Sequence, residues 1–187
     1  IEEGAKRTAE IVSGLKTFSR LDEADLKKAN INQGIESTLV ILRSSIPGNI
    51  EVILKLGHFG EIECYPGKLN QVFMNIMNNA IHAMIKKNSK EKLFLTITTQ
   101  KLEDNIVICF EDTGTGMTPE VKAKIFEPFF TTKEVGEGTG LGMSIVFKII
   151  ETHNGKIDIE SEVGIGTKIT ISIPANITKP KPVSGTV

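Results

Sequence analysis

Three polar segments of this chain hold residue types and spacings that can do chemistry. Asp112-Thr113-Gly114-Thr115-Gly116 sets a carboxylate ahead of two glycines spaced by one residue. A carboxylate there can accept a hydrogen bond from an exocyclic amine such as adenine carries, and glycines let the backbone approach a flat ring without Cβ atoms in the way. Taken alone, the segment also reads as a simple Asp-Thr-Gly turn. The second segment, Gly136-Glu137-Gly138-Thr139-Gly140-Leu141-Gly142, opens a helix. Free N–H groups at a helix start, aided by the dipole, form an anion site. It is neither a Walker A sequence nor a dinucleotide fingerprint, and a glycine-rich cap would look the same. The third is a helix from Gln71 to Met84 that carries Asn75 and Asn79. Asparagine is a mediocre helix former, yet its amide oxygen suits Mg²⁺, which keeps several waters and bridges to phosphates. His82 and Lys86 continue the stripe at steps of three and four, beside the same phosphate charge. A solvated helix face fits these four residues equally well. The order of the three segments makes a nucleotide site the first hypothesis.

The surrounding elements must hold these groups. Residues Ile1 to Leu21 follow a helical pattern, with Ile1, Ala5, Thr8, Val12, Leu15 and Ser19 on a face that Ile11 and Phe18 widen. Such a helix needs partners, from a second copy of the chain or from its own domain. Leu21 to Asn30 is charged and reads as a connector; Ile31 to Ser44 is helical again, with Ile35, Leu39 and Leu42 inward. Short strands are expected over Glu51–Leu56 and Glu61–Cys64. Pro66 fits the first position of the Asn-bearing helix, which runs to about Lys87 and buries Leu69, Val72, Phe73, Ile76, Ala80 and Met84.

Alternation then marks two strands, one through Leu93, Leu95 and Ile97, the other through Ile106, Ile108 and Phe110, joined by a turn at Asp104-Asn105. A short helix begins near Thr118-Pro119, and Phe126 to Gly142 reads as a mobile segment. A further helix runs from Leu141 to about His153, closed by Gly155, with His58 and His153 read as surface positions. Two last strands, Lys156–Ser161 and Lys168–Pro174, are joined through Gly164-Ile165-Gly166, and the tail beyond Ala175 is expected to be disordered.

Composition narrows the class. The chain has 187 residues, 40% hydrophobic and 24% charged, enough for one domain plus an extra element. A net charge of −1 provides no global field toward nucleic acid or anionic lipid, and no apolar run is long enough to span a bilayer. The two cysteines, Cys64 and Cys109, sit in apolar strand-like runs and read as reduced, buried thiols of a cytoplasmic protein, not as a disulfide or zinc site.

The segments together resemble the catalytic ATP-binding domain of bacterial sensor histidine kinases, within the wider group of gyrase, heat-shock-chaperone and mismatch-repair ATPases (the GHKL, or Bergerat, fold). Gln71 to Ala80 resembles the N box, Asp112 to Met117 the first glycine box, Ile125 to Lys133 the F box, Gly138 to Gly142 the second glycine box, and Gly164 to Thr167 the closing glycine motif. The F box wording, Phe126-Glu127-Pro128-Phe129-Phe130-Thr131-Thr132-Lys133, is most similar to nitrogen-regulation-type kinases. Ile1 to Leu21 resembles the second helix of the dimerisation bundle, so the first helix and its acceptor histidine are absent.

The resemblance implies an α/β two-layer sandwich, a mixed sheet covered on one face by helices. It divides the chain into a partial dimerisation helix and connector (1–29), a catalytic domain (30–175) and a tail (176–187). It implies ATP and Mg²⁺ as ligands, with Asp112 on the adenine amino group and Gly114 and Gly116 beside the ring. Asn79 would hold the metal, Asn75 would support the phosphates, and His82 would stand where relatives carry a basic residue. Phe130, Thr131 and Lys133 would belong to the lid; Gly138, Thr139, Gly140, Leu141 and Gly142 would shape the phosphate turn, and Thr167 would close the pocket. Expected partners are a response-regulator receiver domain and, in the longer parent, a second copy through the bundle. Two rivals remain: an ATPase of the same group, which normally carries a carboxylate where this chain has Asn75, and a nucleotide-gated binding module without turnover. Tyr65 stands where many relatives have an acidic helix cap.

Overall fold

The computed structural model describes residues 25–133 and 139–176. The helix expected over Ile1–Leu21, the glycine Gly138 and the tail from Ile177 lie outside the described residues. The elements in chain order are β1 (Lys27–Ala29), α1 (Ile31–Leu42), a 3₁₀ turn (Arg43–Ser45), β2 (Ile50–Leu56), β3 (Ile62–Cys64), α2 (Pro66–Lys87), β4 (Leu93–Leu102), β5 (Asn105–Asp112), α3 (Pro119–Lys124), α4 (Gly142–Thr152), β6 (Lys156–Glu162) and β7 (Gly166–Pro174).

Strands β2-β4-β5-β7-β6 form one mixed sheet in that order. β2 runs parallel to β4 because the chain crosses over through α2 between them; the other pairs are antiparallel. Period-two alternation sends Leu93, Leu95 and Ile97, then Ile106, Ile108 and Phe110, then Ile169, Ile171 and Ile173 to one buried face. The helices cover that face with Val72, Phe73, Ile76, Met77, Ala80 and Met84 from α2 and Val146, Ile149 and Ile150 from α4. This is the two-layer α/β sandwich expected. The same alternation continues past Phe110 to Asp112, placing a carboxylate on the apolar side of the sheet. No helix among the described residues is long and apolar enough to cross a membrane.

Five local readings are corrected. The charged connector contains a strand: β1 pairs antiparallel with β3, Lys28 facing Glu63 and Ala29 facing Ile62. Asn30 then caps α1, its side-chain oxygen accepting from the N–H groups of Asn32 and Gln33. The β4–β5 turn is Glu103-Asp104, with Glu103 at φ 53 and Asn105 already paired to Leu102. Helix α4 closes on Asn154 in the left-handed conformation (φ 53), not on Gly155. The N–H of Asn154 donates to the Glu151 carbonyl and that of Gly155 to the Ile150 carbonyl, both at 2.9 Å, which is a Schellman closure. His153 is fully buried, not a surface residue. Of the thiols, Cys64 is buried, and that burial pushes its pKa up to about 12, whereas Cys109 is only half-buried; both are free.

Candidate nucleotide site

Asp112 ends β5 in register with Leu95 on one side and Thr167 on the other. Its side chain is 8% exposed, and its Oδ1 accepts from the N–H of Gly114 at 2.8 Å. Burial drives the carboxyl pKa up to about 6, against the pull of hydrogen bonds from the Gly114 and Thr167 backbones and the nearby Lys87 ammonium. A carboxylate kept in an apolar layer at this cost is a strong acceptor for an amine that enters the layer.

The loop after Asp112 is docked on the last turns of α2. The N–H of Thr115 donates to the Ala83 carbonyl at 3.3 Å, and a Cβ on Gly114 would meet that of Ala83 at 2.8 Å. Lys87 Nζ donates to the Thr113 carbonyl at 2.8 Å. Phe94 donates its N–H to Thr113 Oγ1 at 2.8 Å, so the loop is held from the sheet side too. On α2, Asn75, Asn79, Ala83 and Lys87 recur every fourth residue and form a nearly straight ridge. Lys87 is therefore the cation that the ridge brings near Asp112, while Lys86 is exposed. Asn79 sits half-buried one turn before the Gly114 contact, while His82 is exposed.

The second glycine segment meets the same ridge one turn earlier. Asn75 Nδ2 donates to the Gly142 carbonyl at 3.2 Å, and a Cβ on Gly142 would lie 3.6 Å from the Asn75 amide. Helix α4 opens at Gly142 with no side-chain cap, and Leu141 donates its N–H to Thr139 Oγ1 at 3.3 Å. Gly140 lies at φ +67 against the backbone of Phe129, which itself has φ +66 and is 75% exposed. A side chain at position 140 would strike that backbone, so this glycine lets the F segment lie across the Thr139–Gly142 turn. Phe126 of that segment stacks on Phe147 of α4, ring centroids 5.3 Å apart. Phe130 is half-buried, with its N–H on the Glu127 carbonyl; Thr131 Oγ1 accepts from the N–H of Lys133 at 3.1 Å, a local turn.

The β6–β7 turn closes the remaining side. Gly116, at φ +62, packs so tightly on the Glu162 carbonyl that any Cβ would overlap it. Gly164 donates its N–H to the Thr115 carbonyl at 2.8 Å, and Met117 to Ser161 Oγ at 2.9 Å. Ser161 Oγ also lies 2.9 Å from Thr167 Oγ1. Three of the expected groups thus converge on one ridge: Asp112 with its glycines, Asn75 with Asn79, and the turn at Thr139–Gly142. Thr131 and Lys133 follow Phe129, whose backbone lies against Gly140, and Gly138 lies outside the described residues.

The chain matches the family described as histidine kinase-, DNA gyrase B- and HSP90-like ATPases over residues 64–177. It belongs to that family. Sporulation kinase E of Bacillus subtilis (strain 168) is 34% identical over 171 residues, 90% of this chain and 22% of that protein. Sensor histidine kinase ZraS of Escherichia coli (strain K12) is 31% identical over 181 residues, 95% of this chain and 37% of that protein. The catalytic domain of histidine kinase ThkA, in a nucleotide-free form, superposes with a TM-score of 0.70 at 30% identity, covering 81% of this chain and 97% of that domain. The chain thus spans about a fifth to a third of the length of these curated relatives and nearly all of a histidine kinase catalytic domain.

Two contacts of the candidate site were not read from the sequence. Lys87 was detectable as the next fourth-residue step after Asn75, Asn79 and Ala83. The hydrogen bond from Asn75 to Gly142 joins residues 67 apart and left no local signal.

Proposed function

We propose that this chain is the ATP·Mg²⁺-binding catalytic domain of a two-component sensor kinase. In the longer parent it passes the γ-phosphoryl group to a histidine for relay to a response-regulator aspartate. The observation that carries the reading is the buried carboxylate of Asp112, whose following loop docks on the same helix ridge that carries Asn79. Asp112 accepts from the adenine amine while Gly114 and Gly116 leave the ring plane clear. The uncapped N–H groups at Gly142 and beyond take the phosphates, aided by the α4 dipole. Lys133 adds positive charge and His82 a ring N–H donor toward the same phosphates, and Phe130 and Thr131 belong to the covering segment.

Magnesium fits the donor set. No group of three His, Cys, Asp or Glu side chains able to hold a metal occurs among the described residues, but Mg²⁺ needs no such cage when substrate phosphates and water complete its shell. Asn79 is the residue that would hold it, and the ion would supply charge neutralisation at the transferring phosphoryl group. The chain's own contribution is orientation and exclusion of water, because phosphoryl transfer asks little covalent chemistry of side chains.

Hydrolysis is the second reading, and one observation weighs against it. Asn75 stands where a water-activating carboxylate would, and it donates to the Gly142 carbonyl, which a carboxylate cannot do. Incubating the chain with labelled ATP, Mg²⁺ and an acceptor-helix protein separates the outcomes. Phosphohistidine supports the kinase reading, free phosphate alone supports the ATPase, and nucleotide retention without turnover supports a binding module. Failure to bind ATP at all would end the proposal.

A further inference from the structure

Helices α2 and α4 lie antiparallel and are tied at both ends. Near the nucleotide, Asn75 donates to the Gly142 carbonyl. At the far end the backbone N–H of Tyr65, the residue just ahead of α2, donates to His153 Nε2 at 3.1 Å. A backbone N–H can only donate, so Nε2 must accept, and the ring proton sits on Nδ1, which donates to the Ile149 carbonyl at 2.8 Å. The spans match. Ten residues of α2 separate Tyr65 from Asn75, about 15 Å, and eleven of α4 separate Gly142 from His153, about 16 Å. His153 is fully buried, and the Tyr65 ring meets it edge-on at 5.4 Å, so its orientation is locked.

We infer that His153 is a positioning residue for nucleotide binding: it fixes the register of α4 on α2, and so holds the Gly140–Gly142 turn against Asn75. Helix α4 has one polar tie to α2 at each end and slides or rotates if either is lost. A shift of a fraction of a helical turn at the His153 end carries rigidly along the eleven residues to Gly142. The inference rests on the nucleotide reading of that turn and adds a residue that no ligand touches.

The test compares nucleotide affinity of the wild-type chain with H153Q, H153N and H153F. Gln reaches the Tyr65 N–H with its side-chain oxygen; Asn keeps only the contact to Ile149; Phe keeps the packing and neither bond. H153Q should bind ATP·Mg²⁺ as wild type does, whereas H153N and H153F should bind on the order of tenfold more weakly. I97V, which trims one methyl group from the buried sheet face and leaves both polar ties between the helices in place, controls for lost stability and should leave affinity unchanged. Amide signals of Gly142 and of the Asn75 side chain, recorded by NMR without nucleotide, should move in H153N and stay in H153Q. Wild-type-like affinity in H153N, or equal weakening in H153Q and H153N, overturns the inference. Loss of ATP binding by the wild-type chain would instead sink the nucleotide reading, and the nucleotide-free signals would still decide the role of His153.

Discussion

Asn75 and Gly142 are joined by a hydrogen bond from the Asn75 amide to the Gly142 carbonyl, 3.2 Å long, where α4 begins. This bond needs a donor on α2, which neither Glu nor Asp supplies. N75E therefore should not convert the chain into an ATPase. The expected result is weaker ATP binding by about tenfold, from the lost bond and the charge facing phosphate, with no rise in phosphate release. Calorimetry and a phosphate-release assay check both halves; a gain in hydrolysis would return the ATPase reading to first place.

Replacing Asn79 by Ala removes the proposed metal ligand and little else, since the residue is half-buried on a helix that Ala suits. Phosphotransfer to a separately supplied acceptor bundle should drop on the order of 100-fold. The thermal midpoint should hold or rise slightly. Unchanged transfer would remove Asn79 from the metal.

Asp112 gives binding a pH dependence. With its pKa near 6 in the empty site, the ionised form is the stronger acceptor for the adenine amine and carries no competing O–H, so affinity should fall as pH drops through about 6. The sign for stability is opposite. A carboxyl pKa raised by folding contributes stability that is complete below the usual value of 3.8 and is lost as pH rises through about 6. Read against D112N, which retains the His153 titration, the wild-type unfolding midpoint should fall over the range in which ATP affinity rises. A flat affinity profile across that window counts against Asp112 as the adenine acceptor.

His153 is held below its ordinary pKa of 6.5, chiefly by burial and further by the Lys68 ammonium stacked on Tyr65. Its contribution to stability is full above 6.5 and is lost as pH falls, because the unfolded chain takes up the proton first. Asp112 titrates in the same window with the reverse sign, so wild type should be read against H153Q, in which Asp112 is unchanged. The wild-type thermal midpoint should fall relative to H153Q on acidification; parallel curves would mean that folding leaves the proton affinity of the His153 imidazole unchanged.

At Gly116 the positive φ and the Glu162 carbonyl leave no room for a methyl group. G116A should cost about 2–4 kcal/mol of stability, measured by denaturant unfolding, and should loosen the β6–β7 turn from the adenine side. A cost below about 0.5 kcal/mol would show that the contact opens freely.

The sheet was readable because its strands alternate cleanly: Leu93 to Ile97 and Ile106 to Phe110 each declare one buried face, and the same count puts Asp112 inward. The glycine and asparagine segments were readable because their spacing is local. What escaped depends on distant partners. Lys27–Ala29 is three residues with two lysines, and only β3 makes it a strand. His153 beside Asn154-Gly155 looks like an exposed helix end, yet its partner lies 88 residues away at Tyr65. Gly155 was the obvious helix terminator, but Asn154 tolerates the left-handed conformation, and the Gly155 Cα is pressed between Ile173 and the Ser172 carbonyl, where a Cβ would clash.

The short strand β3 has neighbours on both edges, β1 on one and the carbonyl of Ala175, which accepts from Glu63, on the other. Lys27–Ala29 and Ala175 thus grip the same three residues from opposite sides, and only Tyr65 separates that ribbon from the first turn of the Asn-bearing helix. Torque applied to the polypeptide ahead of Asp25 has a stiff path, with no slack loop, to the very helix that carries Asn75 and Asn79.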